Sequence, residues 1–178
     1  MKLLGALIAG GQSRRFGSDK ALAVIEGKPL LNHVIDALQP QVDTLVMCGR
    51  KWPELACLAD RPEPDQGPLG GLCAALHHAR ENDFQAVLTA GCDTLPVPHN
   101  LAHLLQYQAG VIRNQPLFGF WPASMAPRLD AWLANQARRD MRGWIAYSQA
   151  REIDADFSFS NLNTQAEYAQ FLASIHRP

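Results

Sequence analysis

KLLGALIAGGQSRRFGSDK, residues Lys2–Lys20, joins a continuous apolar run to paired glycines and then to a cation-rich loop. The run from Lys2 to Ala9 has no polar alternation, which predicts a strand buried on both faces of a parallel sheet. Gly10 and Gly11 follow it directly. Without a Cβ in the way, their peptide N–H groups can close on a ligand, and clustered N–H groups of this kind take anions. Arg14, Arg15 and Lys20 bring charge to the same loop. Arginine offers paired donors to a phosphate and lysine a mobile point charge. A triphosphate carries enough charge to engage all three, and Ser13 adds a hydroxyl donor. The residues taken alone leave one alternative, a solvated basic loop with glycine turns.

Two common phosphate motifs are excluded. Gly17 is followed by Ser18-Asp19 where a P-loop needs Lys-Ser/Thr, and Gln12 stands where a dinucleotide fingerprint needs its second glycine.

Beyond the loop, strand-like and helix-like segments alternate. Pro29 opens a helix to about Leu38, with Leu30, Leu31, Val34, Ile35 and Leu38 at helical spacing. TLVMC, Thr44 to Cys48, reads as a second buried strand, and LACLAD ends a third apolar piece at Asp60 before the open loop RPEPDQ. Gly67-Pro68 starts a helix with Leu69, Leu72 and Leu76 on one face, and AVLTA, Ala86 to Ala90, is the next strand. A helix near Pro98 to Gln108 and strands at Ala109 to Arg113 and Leu117 to Trp121 continue the pattern. In the closing helix, Thr164 and Glu167 have capping-box spacing, while Tyr168, Phe171, Leu172 and Ile175 form the apolar face. The alternation specifies a single α/β domain over residues 1–178 with a mainly parallel sheet. Ligands in such sheets bind outside the carboxyl ends of the strands. Three of these ends carry unusual chemistry: Ala9-Gly10-Gly11, Asp60 and Cys92-Asp93.

The 178 residues are enough for one domain with a real core. The 17 acidic and 16 basic residues nearly cancel, so no general nucleic-acid or membrane surface is expected and anionic partners must meet local clusters. No apolar run approaches the roughly 20 residues that span a bilayer, and the segment after Ala9 lacks the cleavage character of a secretory signal. Cys48, Cys57, Cys73 and Cys92 show no C-x-x-C spacing and lie in apolar segments. They are expected to be buried free thiols in a reducing cytoplasm.

Asp93, just past a buried strand in GCDTLPVP, is the candidate Mg²⁺ ligand, because Mg²⁺ takes one or two protein carboxylates beside substrate phosphates and retained waters. The alternative for the same carboxylate is a turn cap on the N–H of Thr94 or Leu95. His99 and His103 are four apart but lack a third ligand or an H-E-x-x-H pattern. His77-His78 fall at a helix end, where positive character suits the dipole. Trp52, Trp121, Trp132 and Trp144 have no basic stripe beside them and read as core or pocket walls.

In order and spacing, LIAGGQSRRFGSDKAL, GKPLLNHVIDAL, DQGPLGGLCAAL, AGCDTLPVP, QPLFGFWP and FSNLNTQAEY resemble successive motifs of the molybdenum cofactor guanylyltransferase family. The resemblance covers nearly the whole chain and implies a three-layer Rossmann-like nucleotidyltransferase fold. By position, Ile8, Ala9, Gly10 and Gly11 match the loop around the GTP phosphates, and Lys20 matches its phosphate-binding lysine. Asp60 matches an aspartate that contacts the nucleotide, and Asp93 matches the Mg²⁺ ligand. Asn161 and Asn163 fall in the family's Asn-x-Asn-Thr element, whose amide oxygens serve the metal or the pterin. Cys48 stands where family members often place a nucleotide-contacting asparagine, and a thiol is a poor hydrogen-bonding substitute. Gln115 stands where a histidine is frequent. Both departures bear on base choice and pterin recognition.

The activity so implied is transfer of GMP from GTP to the terminal phosphate of molybdenum-bearing molybdopterin, with release of pyrophosphate and with Arg15, Lys20 and Asp93 as catalytic candidates. A phosphate nucleophile is already ionised near neutral pH, so catalysis rests on positioning and charge neutralisation rather than on a general base. A cytidylyltransferase on the same pterin, or a sugar-phosphate nucleotidyltransferase, shares the loop and is the enzymatic alternative. A molybdopterin carrier is the non-enzymatic one. Molybdopterin-inserting proteins or acceptor molybdoenzymes are the further partners implied, with no nucleic acid and no membrane.

Overall fold

In the computed structural model, residues 1–9, 20–135, 140–156, 159–162 and 164–175 are described. Strand β1 (Leu3–Ile8) is buried at every position. A short ribbon of β2 (Val24–Ile25) and β3 (Lys28–Pro29) turns at Glu26 and Gly27, both at positive φ, and feeds α1 (Leu30–Leu38). Pro29 therefore caps α1 from the ribbon instead of occupying its first turn. Next come β4 (Thr44–Cys48), β5 (Ala56–Leu58), α2 (Pro68–Glu81), β6 (Ala86–Gly91), β7 (Thr94–Leu95) and α3 (Leu101–Leu104). After these follow β8 (Gly110–Ile112), β9 (Gln115–Pro122), α4 (Ala126–Asn135), α5 (Met141–Ser148), β10 (Arg151–Ile153), β11 (Ser160–Asn161) and α6 (Gln165–Ile175).

Seven strands form one sheet in the order β10-β8-β9-β6-β1-β4-β5. β9 runs antiparallel to its neighbours β6 and β8, and the other pairings are parallel. The expected three-layer α/β architecture with a mainly parallel sheet is what the chain adopts. Alternate residues of each central strand go to opposite faces, and both faces are covered. Leu7, Met47 and Leu88 pack with Leu31 and Val34 of α1 and Leu101 of α3. Ala6, Val46 and Val87 pack with Leu72 and Leu76 of α2 and Leu129 of α4.

Two expectations are corrected, and one unassigned segment gains its elements. The helix expected near Pro98 to Gln108 is only Leu101–Leu104, because Gln106 and Tyr107 take left-handed conformations and turn the chain. Leu101 and Leu105, one turn apart, already anchor it in the core. Cys57 is exposed rather than buried, since β5 is the sheet edge, and its thiol donates to the Arg50 carbonyl at 2.8 Å. The segment after β9, for which the sequence suggests no elements, holds α4 and α5. There Asp140 accepts from Gly143 N at 2.9 Å as the N-cap of α5, and Gln149 ends it in a left-handed conformation. The capping pair of α6 is present: Glu167 N donates to Thr164 Oγ1 at 3.1 Å, and Tyr168 and Phe171 pack on the α1 side of the core. Among the described residues, no helix is long and apolar enough to cross a membrane.

Trp121, Trp132 and Trp144 are core, whereas Trp52 is half-buried against it. Trp144 is fully buried between Trp121 and Trp132, with ring centroids 6.2 and 6.0 Å away. Its indole N–H has no partner among the described residues. Trp144→Ala is expected to lower the unfolding free energy by about 3–5 kcal/mol. Trp144→Phe should cost less than Trp144→Ala, because it keeps most of the ring and abandons no hydrogen bond. Denaturant titration of both variants checks the order.

Candidate active site

Parallel pairing puts the carboxyl ends of three central strands side by side. Ile8 at the end of β1 is in register with Cys48 of β4 and with Gly91 of β6. Ala9 N continues the ladder to the Cys48 carbonyl at 3.0 Å, and Gly49 N reaches Leu58 O of β5 at 3.2 Å. Asp60 and Asp93 each lie two residues beyond the end of their strand, so both belong to the same edge of the sheet.

Helix α2 starts at this edge. Gly67, at φ 64°, is its N-cap, Pro68 follows, and no side chain caps the first turn. Gly70 and Gly71 let the helix lie directly on the strand ends. A Cβ on Gly70 would come within 2.9 Å of Asp60 Cβ and Cγ, and one on Gly71 within 3.0 Å of Cys48 Cβ. Arg61 N donates to Gly70 O at 3.2 Å and ties the loop after Asp60 to the helix.

Asp60 is half-buried against that turn. Its Oδ1 has no hydrogen-bond partner among the described residues, although it is shielded from water. Burial raises its carboxyl above the ordinary range, the Asp65 charge acts in the same direction, and the Gln66 backbone N–H opposes them. Cys48 is fully buried. Its thiol is pushed up to about 12, first by burial and then by the negative charge of Asp60, and so stays protonated. A cleft of about 380 Å³ opens beside Asp60, with Arg50, Lys51, Cys57 and Asp65 on its walls. A larger cavity of about 620 Å³ lies at the opposite edge of the sheet, between β8 and α5, and includes none of these strand ends.

Asp93 is held from two sides. Leu162 N donates to its carbonyl at 3.0 Å, and Asn161 pairs with Thr94 in the β11–β7 ribbon. Asn161 and Leu162 are thus brought beside Asp93 across a long sequence separation. Thr94 Oγ1 donates to Asp93 Oδ1 at 3.4 Å. A Cβ on Gly91 would come within 3.2 Å of the same oxygen, so the glycine keeps that side of the carboxylate open. A carboxylate beside backbone oxygens suits a hard divalent ion such as Mg²⁺.

Ile8, Ala9, Cys48, Asp60 and Asp93 therefore share one edge. Gly10, Gly11, Ser13, Arg14, Arg15 and Asn163 lie outside the described residues, as do the side chains of Lys20 and Asn161. Lys20 opens a turn that leads through buried Ala21 toward β2. His99 and His103 are exposed. Sequence reading assigned no role to Gly70, Gly71 or Gly91, although two adjacent glycines in the first turn of a helix are a signal, being poor helix formers.

Because the folded-state Asp60 carboxyl is raised, its stabilising contribution is complete below the unfolded value of about 4. It is lost as pH climbs through the raised folded value. The stability of the wild type relative to Asp60→Asn is expected to fall from pH about 4 toward neutrality. Denaturant melts across that range would contradict this if the difference stayed flat or rose.

A family model described as MobA-like NTP transferase domain matches residues 5–152. A molybdenum cofactor guanylyltransferase of Cereibacter sphaeroides is 35% identical, over 96% of this chain and 95% of its own. One of Photobacterium profundum is 31% identical over 93% of each chain. Among solved structures, molybdopterin-guanine dinucleotide biosynthesis protein A from Archaeoglobus fulgidus gives a TM-score of 0.71 at 20% identity, covering 98% of both chains. Rv0371C from Mycobacterium tuberculosis H37Rv, in complex with manganese, gives 0.65 at 12% identity, covering 98% of this chain and 100% of that one. At these identities the structures speak for the fold, whereas the sequence matches reach further: the chain belongs to the MobA-like NTP transferase family and is a nucleotidyltransferase of the molybdenum cofactor guanylyltransferase type.

Proposed function

We propose that the protein transfers GMP from GTP to the terminal phosphate of molybdenum-bearing molybdopterin. The observation that carries this reading is the convergence of Asp60, with a buried oxygen that has no partner among the described residues, and Asp93 on the edge of the sheet where β1 ends. An oxygen of the pterin phosphate forms a new bond to the α-phosphorus of GTP. The bond from that phosphorus to the oxygen bridging to the β-phosphate breaks, and pyrophosphate leaves with the electron pair. The nucleophile arrives ionised, so the residues bind and orient rather than move protons.

The amides of Gly10 and Gly11, together with Arg15 and Lys20, hold the triphosphate and the charge of the departing pyrophosphate. Ile8 and Ala9 carry the loop to that position from β1. Asp60 faces the cleft beside Cys48, where a carboxylate can accept from the adjacent N1–H and N2–H donors of guanine. Uracil presents no such donor pair. Cys48 packs beneath this contact as a neutral thiol. Asp93 is the residue to hold Mg²⁺, with Asn161 and Asn163 supplying amide oxygens to the metal or the pterin. When bound, the ion neutralises oxygens on the phosphate being transferred. The reaction is consistent with a cytoplasmic setting, where nucleotide and pterin are both available.

Incubation with molybdopterin, Mg²⁺ and each of GTP, CTP and UTP, followed by mass analysis, tests the reading. A GMP adduct formed from GTP alone supports it. A CMP adduct would move the protein to the cytidylyl alternative, and binding without pyrophosphate release to the carrier. Asp93→Ala is expected to keep the fold and to lose turnover by about a hundredfold or more, the scale of removing one transition-state-stabilising group. Normal Mg²⁺-dependent turnover in that variant would contradict the metal assignment.

A further inference from the structure

Cys73 and His77 are one turn apart on α2 and so share a face of the helix. That face meets α4, whose Asp130 reaches both of them. Cys73 Sγ lies 3.1 Å from Asp130 Oδ1, and His77 Nε2 lies 2.7 Å from Asp130 Oδ2. Their donor atoms all fall within 4.8 Å of one another, and no other such group of three occurs among the described residues. We propose that Cys73, His77 and Asp130 bind a divalent ion of the Zn²⁺ class, apart from the nucleotide site and independent of the reading of it.

Thiolate, imidazole and carboxylate are the three donor types that Zn²⁺ prefers. Tetrahedral bonds to them set the donor atoms about 3.3–3.6 Å apart. The two contacts to Asp130, at 3.1 and 2.7 Å, already lie within about an ångström of that arrangement, and the third donor pair falls within 4.8 Å. Cys73 is buried, while the His77 and Asp130 side chains are 15% and 41% exposed, so the ion is reached from solvent and a water completes its fourth position. Binding releases the proton that the thiol now donates to Asp130, and His77 coordinates through Nε2 with its hydrogen on Nδ1. Thiolate and carboxylate then balance the two positive charges of the ion. Burial, and then Asp130, push the metal-free Cys73 thiol up to about 12, so the ion binds in exchange for its proton; Arg61, which acts in the opposite direction, lies 3.7 Å from Glu81. Mg²⁺, which demands oxygen donors, has no claim on this site, and the site therefore discriminates against the metal of the nucleotide edge.

The consequence is mechanical. The ion clips α4 to α2 a short distance after Gly70 and Gly71, and fixes the helix whose first turn packs on Asp60 and Cys48. In the absence of metal the same three side chains act as a polar clasp between the helices.

Full-length protein freed of metal by chelation and titrated with Co²⁺ gives the test. The expected result is a near-ultraviolet thiolate-to-cobalt band that saturates at one ion per chain and is displaced by Zn²⁺ but not by Mg²⁺. The band should vanish in Cys73→Ser and persist in Cys57→Ser, the exposed-thiol control. His77→Gln and Asp130→Asn, at positions open to solvent, should each weaken binding by about tenfold or more, and they keep the test decisive if Cys73→Ser does not fold. Absence of the band in wild type, its survival in Cys73→Ser, or unchanged affinity in both His77→Gln and Asp130→Asn would overturn the proposal.

Discussion

At Gly70 and Gly71 the first turn of α2 rests on the strand ends with no side chain of its own in between, and the candidate site depends on that contact. Gly70 brings the helix backbone against Asp60, and Gly71 brings it against Cys48 and Ile8. A methyl group at either position would meet neighbours at 3.0 Å or less, in part the roots of side chains rather than their flexible ends, so the helix or the strands would have to shift. The close approach shields Asp60 Oδ1, which has no partner among the described residues, and raises the carboxyl. It also seals Cys48, whose protonated thiol can pack but cannot serve as a nucleophile. Carboxylate, glycine pair and thiol are thus one packing solution rather than three separate features.

The strands that position the site were legible because they are the simplest objects in the chain. Leu3–Ile8, Thr44–Cys48 and Ala86–Gly91 are buried on both faces, and a nearly continuous apolar run is the direct signature of that burial. Edge strand β5 was harder, since most of its residues face solvent and the apolar composition of LACL overstates its burial. Helices α4 and α5 were missed although their buried positions, Ala126, Leu129, Trp132 and Leu133 in one and Met141, Trp144, Ile145 and Ser148 in the other, recur at helical spacing among polar residues.

For the site, the carboxylates were legible and their settings were not. Asp60 and Asp93 stand out in sequence because they directly follow strands. That Asp60 lies under Gly70, or that Asp93 is bridged to Leu162, follows from tertiary pairing between distant segments. The cluster of Cys73, His77 and Asp130 belongs to the same class. Two members show helical spacing, but the third is 53 residues from His77 and joins them only when α4 folds onto α2. Helix α2 thereby carries chemistry on both sides: backbone N–H groups and a neighbouring carboxylate at its start, sulfur and imidazole donors further along.

The central claim is that nucleotide binds at the carboxyl ends of β1, β4, β5 and β6 rather than in the larger cavity at the other edge of the sheet. Hydrogen–deuterium exchange of the full chain with and without GTP and Mg²⁺ tests it most directly. The account predicts slowed exchange at Ile8–Ala9, through Leu58–Asp60 and the first turn of α2, and at Cys92–Thr94. Slowing confined to the cavity lined by Asn114, Arg142 and Glu152, with the strand ends unchanged, would contradict it.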